Sequence, residues 1–274
     1  MIHRLVIVGS GALATYYAYK WSENYAVSVL GSWKDSINAI NATARKKEMH
    51  QLFATSDWKK INEPDLVIWL TKTYKNEYSL KKYVQLKWKC PILILQNGIG
   101  QEEVFSNILG VDQNILRGVT NQGVKLISAG NVLNTGDGEV FVEENRLFTG
   151  FPVVQKNNIE TIIYRKLAIN AVLNPISALY NVTNKNTLNG EAGKYLLKLV
   201  KICFPYFYKR KIFASEEEYL HHVKLIATKT GNNVNSMLVD KQLKRKTEIL
   251  EILGPINKEL NNRELDAIIH ILAC

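Results

Sequence analysis

Lys166, Asn170 and Asn174 stand four residues apart in KLAINAVLNP (166–175), and the positions between them are apolar: Leu167, Ala168, Ile169, Ala171, Val172 and Leu173. Residues at i and i+4 share one face of a helix. The spacing therefore predicts a largely buried helix with a single polar stripe of one amine and two amides. An unpaired ammonium is expensive to bury, and a buried lysine readily loses its proton. Such a stripe is tolerable where it lines a polar cleft. There a lysine of lowered pKa can serve as a proton donor, and the two amides can orient a carbonyl and hydroxyls. The spacing alone is equally compatible with a lysine that reaches to water and asparagines that cap turns. Pro175 is expected to kink or end the helix.

Two other segments carry side chains of the same chemistry. QNGIG (96–100) puts Asn97 at the C-terminal end of a predicted strand, where open α/β sheets bind ligands. NSMLVDKQLKRKTEI (235–249) offers Ser236, Asp240 and Glu248. In one unbroken helix Ser236 and Glu248 would lie about 18 Å apart, too far to share a small substrate. Either one of them is structural or the helix breaks between Asp240 and Thr247. A break is expected, with Thr247 a suitable N-cap for the helix that follows.

A phosphate site is readable near the start. The apolar run LVIV leads directly into Gly9, Ser10, Gly11, Ala12, Leu13 and Ala14, and a helical stretch follows. This is the G-x-G-x-x-G/A pattern in its required strand–turn–helix setting. Gly9 permits the tight turn, Gly11 lets the backbone approach a pyrophosphate, and Ala14 lets helix and strand pack closely. The N–H groups at the helix start are then available to an anion. An NAD site usually has Asp or Glu at the end of the second strand. Here Gly31, Ser32, Trp33 and Lys34 stand there, with Asp35 just beyond. Ser32 and Lys34 suit a 2′-phosphate, which favours NADP.

The elements that must position these groups fall into two halves. Strands are expected at 5–9, 25–31, 65–72, 90–100 and 114–123, with helices at 12–21 and 32–47. Alternation of this kind implies βαβ units and a parallel sheet. Residues 124–150 read as hairpin-like, with turns at Gly130-Asn131 and Asp137-Gly138. After residue 157 a helical period dominates. The expected fold is α/β: a Rossmann-like dinucleotide-binding domain (1–157) followed by an all-helical substrate domain (158–274).

Composition excludes several function classes. Apolar residues make up 46% and charged residues 22%, ordinary for a globular chain. The net charge of +10 comes from scattered lysines, which gives a general attraction for anionic ligands but no nucleic-acid motif. Cys90, Cys203 and Cys274 lack metal-ligand spacing, and so sparse a set argues against a disulfide framework. No metal site is expected. No apolar run has the length of a membrane span, and the opening run is short for a secretory signal. A cytoplasmic protein with no membrane or nucleic-acid partner is expected, as a monomer or homodimer.

GSGALA (9–14), QNG (96–98), KLAINAVLNP (166–175) and the SM…D…TEI pattern (236–249), in that order and spacing, resemble the ketopantoate reductase (2-dehydropantoate 2-reductase) family over nearly the whole chain. The resemblance implies a Rossmann domain, a helical domain like that of 6-phosphogluconate dehydrogenase, and NADPH-dependent reduction of 2-dehydropantoate to pantoate on the way to pantothenate and coenzyme A. It places the proton-donating lysine on Lys166 and the substrate asparagines on Asn170, Asn174 and Asn184. Asn97 takes the position shared by cofactor and substrate, Ser236 that of the substrate serine, and Glu248 that of a late glutamate near both. Lys72 matches a lysine near the cofactor, and Gly123 lies in the loop that borders the nicotinamide. The chain departs from many members at Ser32, where they carry Arg, in GNNVN before Ser236, and in KNTLNG after Asn184.

On this reading Lys166 stabilises the ketone oxygen and gives it a proton. Asn97 orients the nicotinamide amide or the substrate, and Glu248 bonds a substrate hydroxyl or the lysine. The alternatives are a reductase of another branched 2-oxo acid and a non-catalytic NADP-binding regulatory protein.

Overall fold

The structure is a computed structural model that describes residues 1–273; Cys274 lies outside the described residues. The chain forms two compact units. Residues Met1–Gln96 and Gln101–Ile159 make the first, and Asn97–Gly100 joins the chain from Glu160 onward in the second.

The first unit runs β1 (Arg4–Val8), α1 (Ala12–Trp21), β2 (Ala26–Leu30), α2 (Lys34–Lys46), β3 (Leu52–Thr55), β4 (Leu66–Trp69), α3 (Asn76–Val84), β5 (Ile92–Ile94), α4 (Gln101–Leu109), β6 (Ile115–Thr120), β7 (Gly123–Ser128), β8 (Asn131–Gly136), β9 (Val140–Glu143) and β10 (Val154–Lys156). Its main sheet has the order β10-β9-β6-β5-β4-β1-β2-β3. The six strands β1–β6 are parallel in the Rossmann order 3-2-1-4-5-6. β9 is antiparallel to β6, and β10 runs parallel to β9.

The apolar runs become strands because both faces of the sheet are covered. Side chains alternate between the faces. Leu5, Ile7, Leu66 and Ile68 pack with Ala14, Tyr17, Ala18 and Trp21 of α1. Val6, Val8, Val67 and Trp69 pack on the other side with Tyr83 of α3 and Phe105 of α4. The expected hairpin is β7–β8, a separate two-stranded ribbon turning at Gly130, whose φ is +64°.

The second unit is helical: α5 (Ile159–Tyr180), α6 (Gly190–Lys209), α7 (Glu216–Lys229), α8 (Ser236–Gln242), α9 (Ile249–Ile252), α10 (Gly254–Leu260) and α11 (Arg263–Leu272). Leu167–Ile169 and Ala171–Leu173 of α5 are buried together with residues of α6, α7, α9, α10 and α11. A helix apolar on nearly every face is an interior helix, which explains why KLAINAVLNP is apolar outside its Lys166–Asn170–Asn174 stripe.

Pro175 does not end α5, which continues to Tyr180. Proline removes one N–H from the ladder, but tertiary contacts hold the last turn. Ile176 and Ala178 are buried, and Lys241 Nζ donates to the Ala178 carbonyl at 2.8 Å. The expected break after Asp240 is present: α8 stops at Gln242 and α9 begins at Ile249. Thr247 Oγ1 accepts from Ile249 N–H and donates to the Leu272 carbonyl, tying the break to α11. Among the described residues no helix is long and apolar enough to cross a membrane.

Candidate active site

In the helical unit three of the candidate residues meet directly. Lys166 Nζ donates to Asn97 Oδ1 at 2.9 Å. The other end of the same amide, Nδ2, donates to Glu248 Oε2 at 3.3 Å. One amide thus bridges an ammonium and a carboxylate. Lys166 is half-buried along its length and Glu248 is buried. Burial of the ammonium pushes the Lys166 pKa from 10.5 down to about 8, and the Glu248 charge opposes that fall. At neutral pH the lysine is still mainly protonated, with a proton held more loosely than on a solvated lysine.

The local backbone explains the placement of Asn97. Gly98 has φ +83°, and a Cβ there would lie 2.5 Å from the Glu251 carbonyl oxygen. The loop therefore lies flat against the backbone of α9, and only glycine allows so close an approach at this φ. Ile99 N–H also donates to the Glu251 carbonyl, at 3.4 Å. Glu248 comes one turn earlier, at the start of α9, so the same contact sets Asn97 beside it.

Asn76, which sequence reasoning did not single out, braces the stems of this loop in the first unit. Its side chain is 2% exposed. Asn76 Nδ2 donates to Gln96 Oε1 and Gln101 Oε1 at 2.9 and 2.7 Å. Its Oδ1 accepts from Trp69 Nε1, Thr71 Oγ1 and Gln96 Nε2. Gln96 and Gln101 are the residues on either side of 97–100. No motif marks Asn76, because its partners come from three separate segments.

Asn170 is half-buried and Asn174 buried on the Lys166 face of α5. Ser236 is the exposed first residue of α8. Asn184 is buried, and its Nδ2 donates to Thr230 Oγ1 at 2.9 Å. It connects to α5 through Asn235.

The remaining candidates belong to the first unit. β1 is flanked by β2 and β4, so the Gly9–Ala14 turn sits where the strand order reverses, the ligand position of open α/β sheets. Gly9 has φ +132°, and a Cβ there would lie 2.8 Å from the Leu70 carbonyl. The protein itself requires that glycine. At Gly11 a Cβ would meet nothing within 4 Å. Nothing in the fold demands glycine there, and a side chain would fill the open space in front of the turn. Thr15 N–H closes back on the Gly11 carbonyl at 2.9 Å, leaving the N–H groups of Ala12, Leu13 and Ala14 with no intrahelical partner. An open cradle lined with N–H groups fits a pyrophosphate.

Ser10 is buried, and its carbonyl accepts from Ser36 Oγ of α2 at 2.9 Å. Beyond β2, Ser32 and Lys34 are exposed, and the first carboxylate is Asp35, inside α2. Lys72 is half-buried just after β4. Gly123 opens β7, where Gln122 Nε2 donates to the Gly123, Asn134 and Gly136 oxygens and fixes the loop.

A family model described as ketopantoate reductase PanE/ApbA matches residues 5–146, and the corresponding C-terminal model matches 158–266. The chain is 28% identical over 272 residues to a 2-dehydropantoate 2-reductase of Listeria innocua, covering 91% of this chain and 87% of the relative. It is 26% identical over 282 residues to one of Bacillus subtilis, covering 97% and 93%. In fold it is similar to a PanE/ApbA family ketopantoate reductase from Ralstonia eutropha (TM-score 0.83, 20% identity, 98% of each chain). It is also similar to a D-mandelate dehydrogenase solved with NADH and anilino(oxo)acetate (TM-score 0.83, 22% identity, 98% of this chain and 97% of that one). Matches to both family models, spanning most of the sequence, establish that the chain belongs to the ketopantoate reductase PanE/ApbA family.

Proposed function

We propose that this chain is an NADPH-dependent 2-dehydropantoate 2-reductase, serving pantothenate and coenzyme A synthesis, with Lys166 as the proton donor. The observation that carries the reading is the Lys166–Asn97–Glu248 chain, which joins an ammonium of pKa about 8 to a carboxylate through one amide. Relatives named for this activity match nearly the full length of the chain, which supports the substrate class.

The Gly9–Ala14 turn holds the pyrophosphate on backbone N–H groups, and Ser32 and Lys34 meet the ribose 2′-phosphate. Lys72, Gly123, Asn97 and Glu248 complete the cofactor contacts. When bound, NADPH supplies the hydride that reduces the ketone carbon. Asn170, Asn174, Asn184 and Ser236 hold the carboxylate and hydroxyl of the oxo acid. Negative charge grows on the ketone oxygen, and the Lys166 ammonium both stabilises it and gives it a proton. Glu248 keeps the lysine protonated by Coulomb attraction, and Asn97 holds the amine in one direction.

Loss of NADPH absorbance on mixing the purified protein with 2-dehydropantoate tests this, with NADH in parallel. Fast oxidation of NADPH and slow oxidation of NADH is the expected result. Binding of NADPH with no oxidation by this substrate or by a panel of other 2-oxo acids overturns it.

A further inference from the structure

Immediately before Ser236, in the GNNVN segment, stands a buried residue that the site described above does not use. Asn235 is 7% exposed. Its Oδ1 accepts from Leu238 N–H at 3.1 Å and caps α8. Its Nδ2 donates to the Leu173 carbonyl and to Asn184 Oδ1, each at 3.3 Å. Leu173 directly precedes Asn174, and Asn235 directly precedes Ser236. One amide therefore bonds the backbone next to Asn174, the start of the helix that presents Ser236, and the side chain of Asn184.

We infer that Asn235 is a positioning residue that sets the mutual geometry of Asn174, Asn184 and Ser236, and so governs affinity for the oxo acid rather than for the dinucleotide. The inference rests on the functional reading above. The surrounding backbone supports it. Asn184 N–H donates to the Asn233 carbonyl at 3.0 Å and Lys185 N–H to the Gly231 carbonyl at 3.1 Å, so the segments after Asn184 and before Ser236 are sewn together. Thr230 Oγ1 accepts a hydrogen bond from Asn184 Nδ2 and donates one to the Ile226 carbonyl. With Nδ2 and Oδ1 of Asn184 both engaged, its amide cannot turn over, and one of its two N–H bonds remains for a ligand. Asn235 supplies the donor that fixes this orientation.

Helix capping and positioning are separable. Serine caps a helix as well as asparagine does, but it has no second donor that reaches Leu173 and Asn184. Asn235→Ser should lower the melting temperature by only a few degrees, from the two lost internal bonds, and leave the NADPH dissociation constant as in the wild type. The KM for 2-dehydropantoate should rise roughly tenfold, about the loss of one well-aligned substrate hydrogen bond as Asn184 and Ser236 lose their fixed orientation, with a smaller change in kcat. In an Asn184→Ala background the same substitution should have much less effect, since the two residues act as a unit. If the wild type turns over and Asn235→Ser has wild-type KM, the inference is wrong and the functional reading stands. If Asn235→Ser loses stability and NADPH affinity in step with KM, the residue is merely structural and the inference is wrong. If the wild type itself does not oxidise NADPH with 2-dehydropantoate, the functional reading fails and takes the inference with it.

Discussion

Asn97 Oδ1 lies 2.9 Å from Lys166 Nζ, a contact between residues 69 positions apart in the chain. The amide has one orientation that satisfies both neighbours: oxygen toward the ammonium, nitrogen toward the Glu248 carboxylate. The lysine is thereby aimed by the amide and held electrostatically by the carboxylate.

The pH profile should report this arrangement. Lys166 must carry its proton to act as an acid, so kcat/KM should fall as pH rises through about 8. Glu248 is what raises this pKa against burial. Glu248→Gln should therefore move the alkaline limb to lower pH. An unmoved limb contradicts the role given to the carboxylate.

The same shift has a consequence for stability. The folded-state pKa of about 8 lies below the ordinary 10.5. Between these values the unfolded chain binds more protons at this site, so the lysine's contribution to stability rises with pH. At neutral pH the buried ammonium is destabilising. Lys166→Met should match or exceed the wild-type melting temperature at pH 7, and that advantage should shrink toward pH 10.

Gly9 and Gly11 should fail in different ways. Gly9→Ala places a side chain in the left-handed region and against the Leu70 carbonyl, and should destabilise the protein by about 1–3 kcal/mol. Gly11→Val meets open space. It should keep the wild-type melting temperature and weaken NADPH binding at least about tenfold, since only the approaching phosphate would meet it. Thermal melts alongside cofactor titration separate the two.

Gly98→Ala should displace Asn97. Its Cβ has no room beside the Glu251 carbonyl, so the loop must lift from α9 and break the Asn97–Glu248 contact. Misplacements of about 1 Å reduce rates by as much as roughly a hundredfold. Steady-state kinetics should show a lower kcat together with weaker NADPH affinity, since Asn97 also contacts the cofactor in the proposed complex.

Cofactor choice should respond to the end of β2. Ser32→Asp with Lys34→Ala puts a carboxylate where a ribose hydroxyl is read and removes a cation. The ratio of kcat/KM for NADPH over NADH should drop at least about tenfold. An unchanged ratio places the 2′-phosphate elsewhere.

Much of this was legible where the signal is local. GSGALA forms its turn because strand, glycines and helix are adjacent in sequence. The break after α8 follows from simple reach between Ser236 and Glu248. Other features depend on partners distant in sequence. β3 is the four-residue run LFAT, too short to show a period, and it is fixed by pairing with β2 and by the Asn41 amide of α2, which bonds both backbone groups of Ala54. Pro175 stays within α5 because packing and Lys241 hold the final turn, which no local rule reports. Asn76 and Asn235 look like ordinary loop or helix-end amides until folding brings their partners to them. Asn97 as the bridge between Lys166 and Glu248 is likewise visible only in three dimensions.

The most direct test is single-turnover reduction of 2-dehydropantoate by Lys166→Ala with NADPH pre-bound. A general acid contributes about 10²–10⁴-fold. The account predicts a loss in the hydride-transfer rate of that order, with the NADPH dissociation constant unchanged. Wild-type rates in this variant would contradict it.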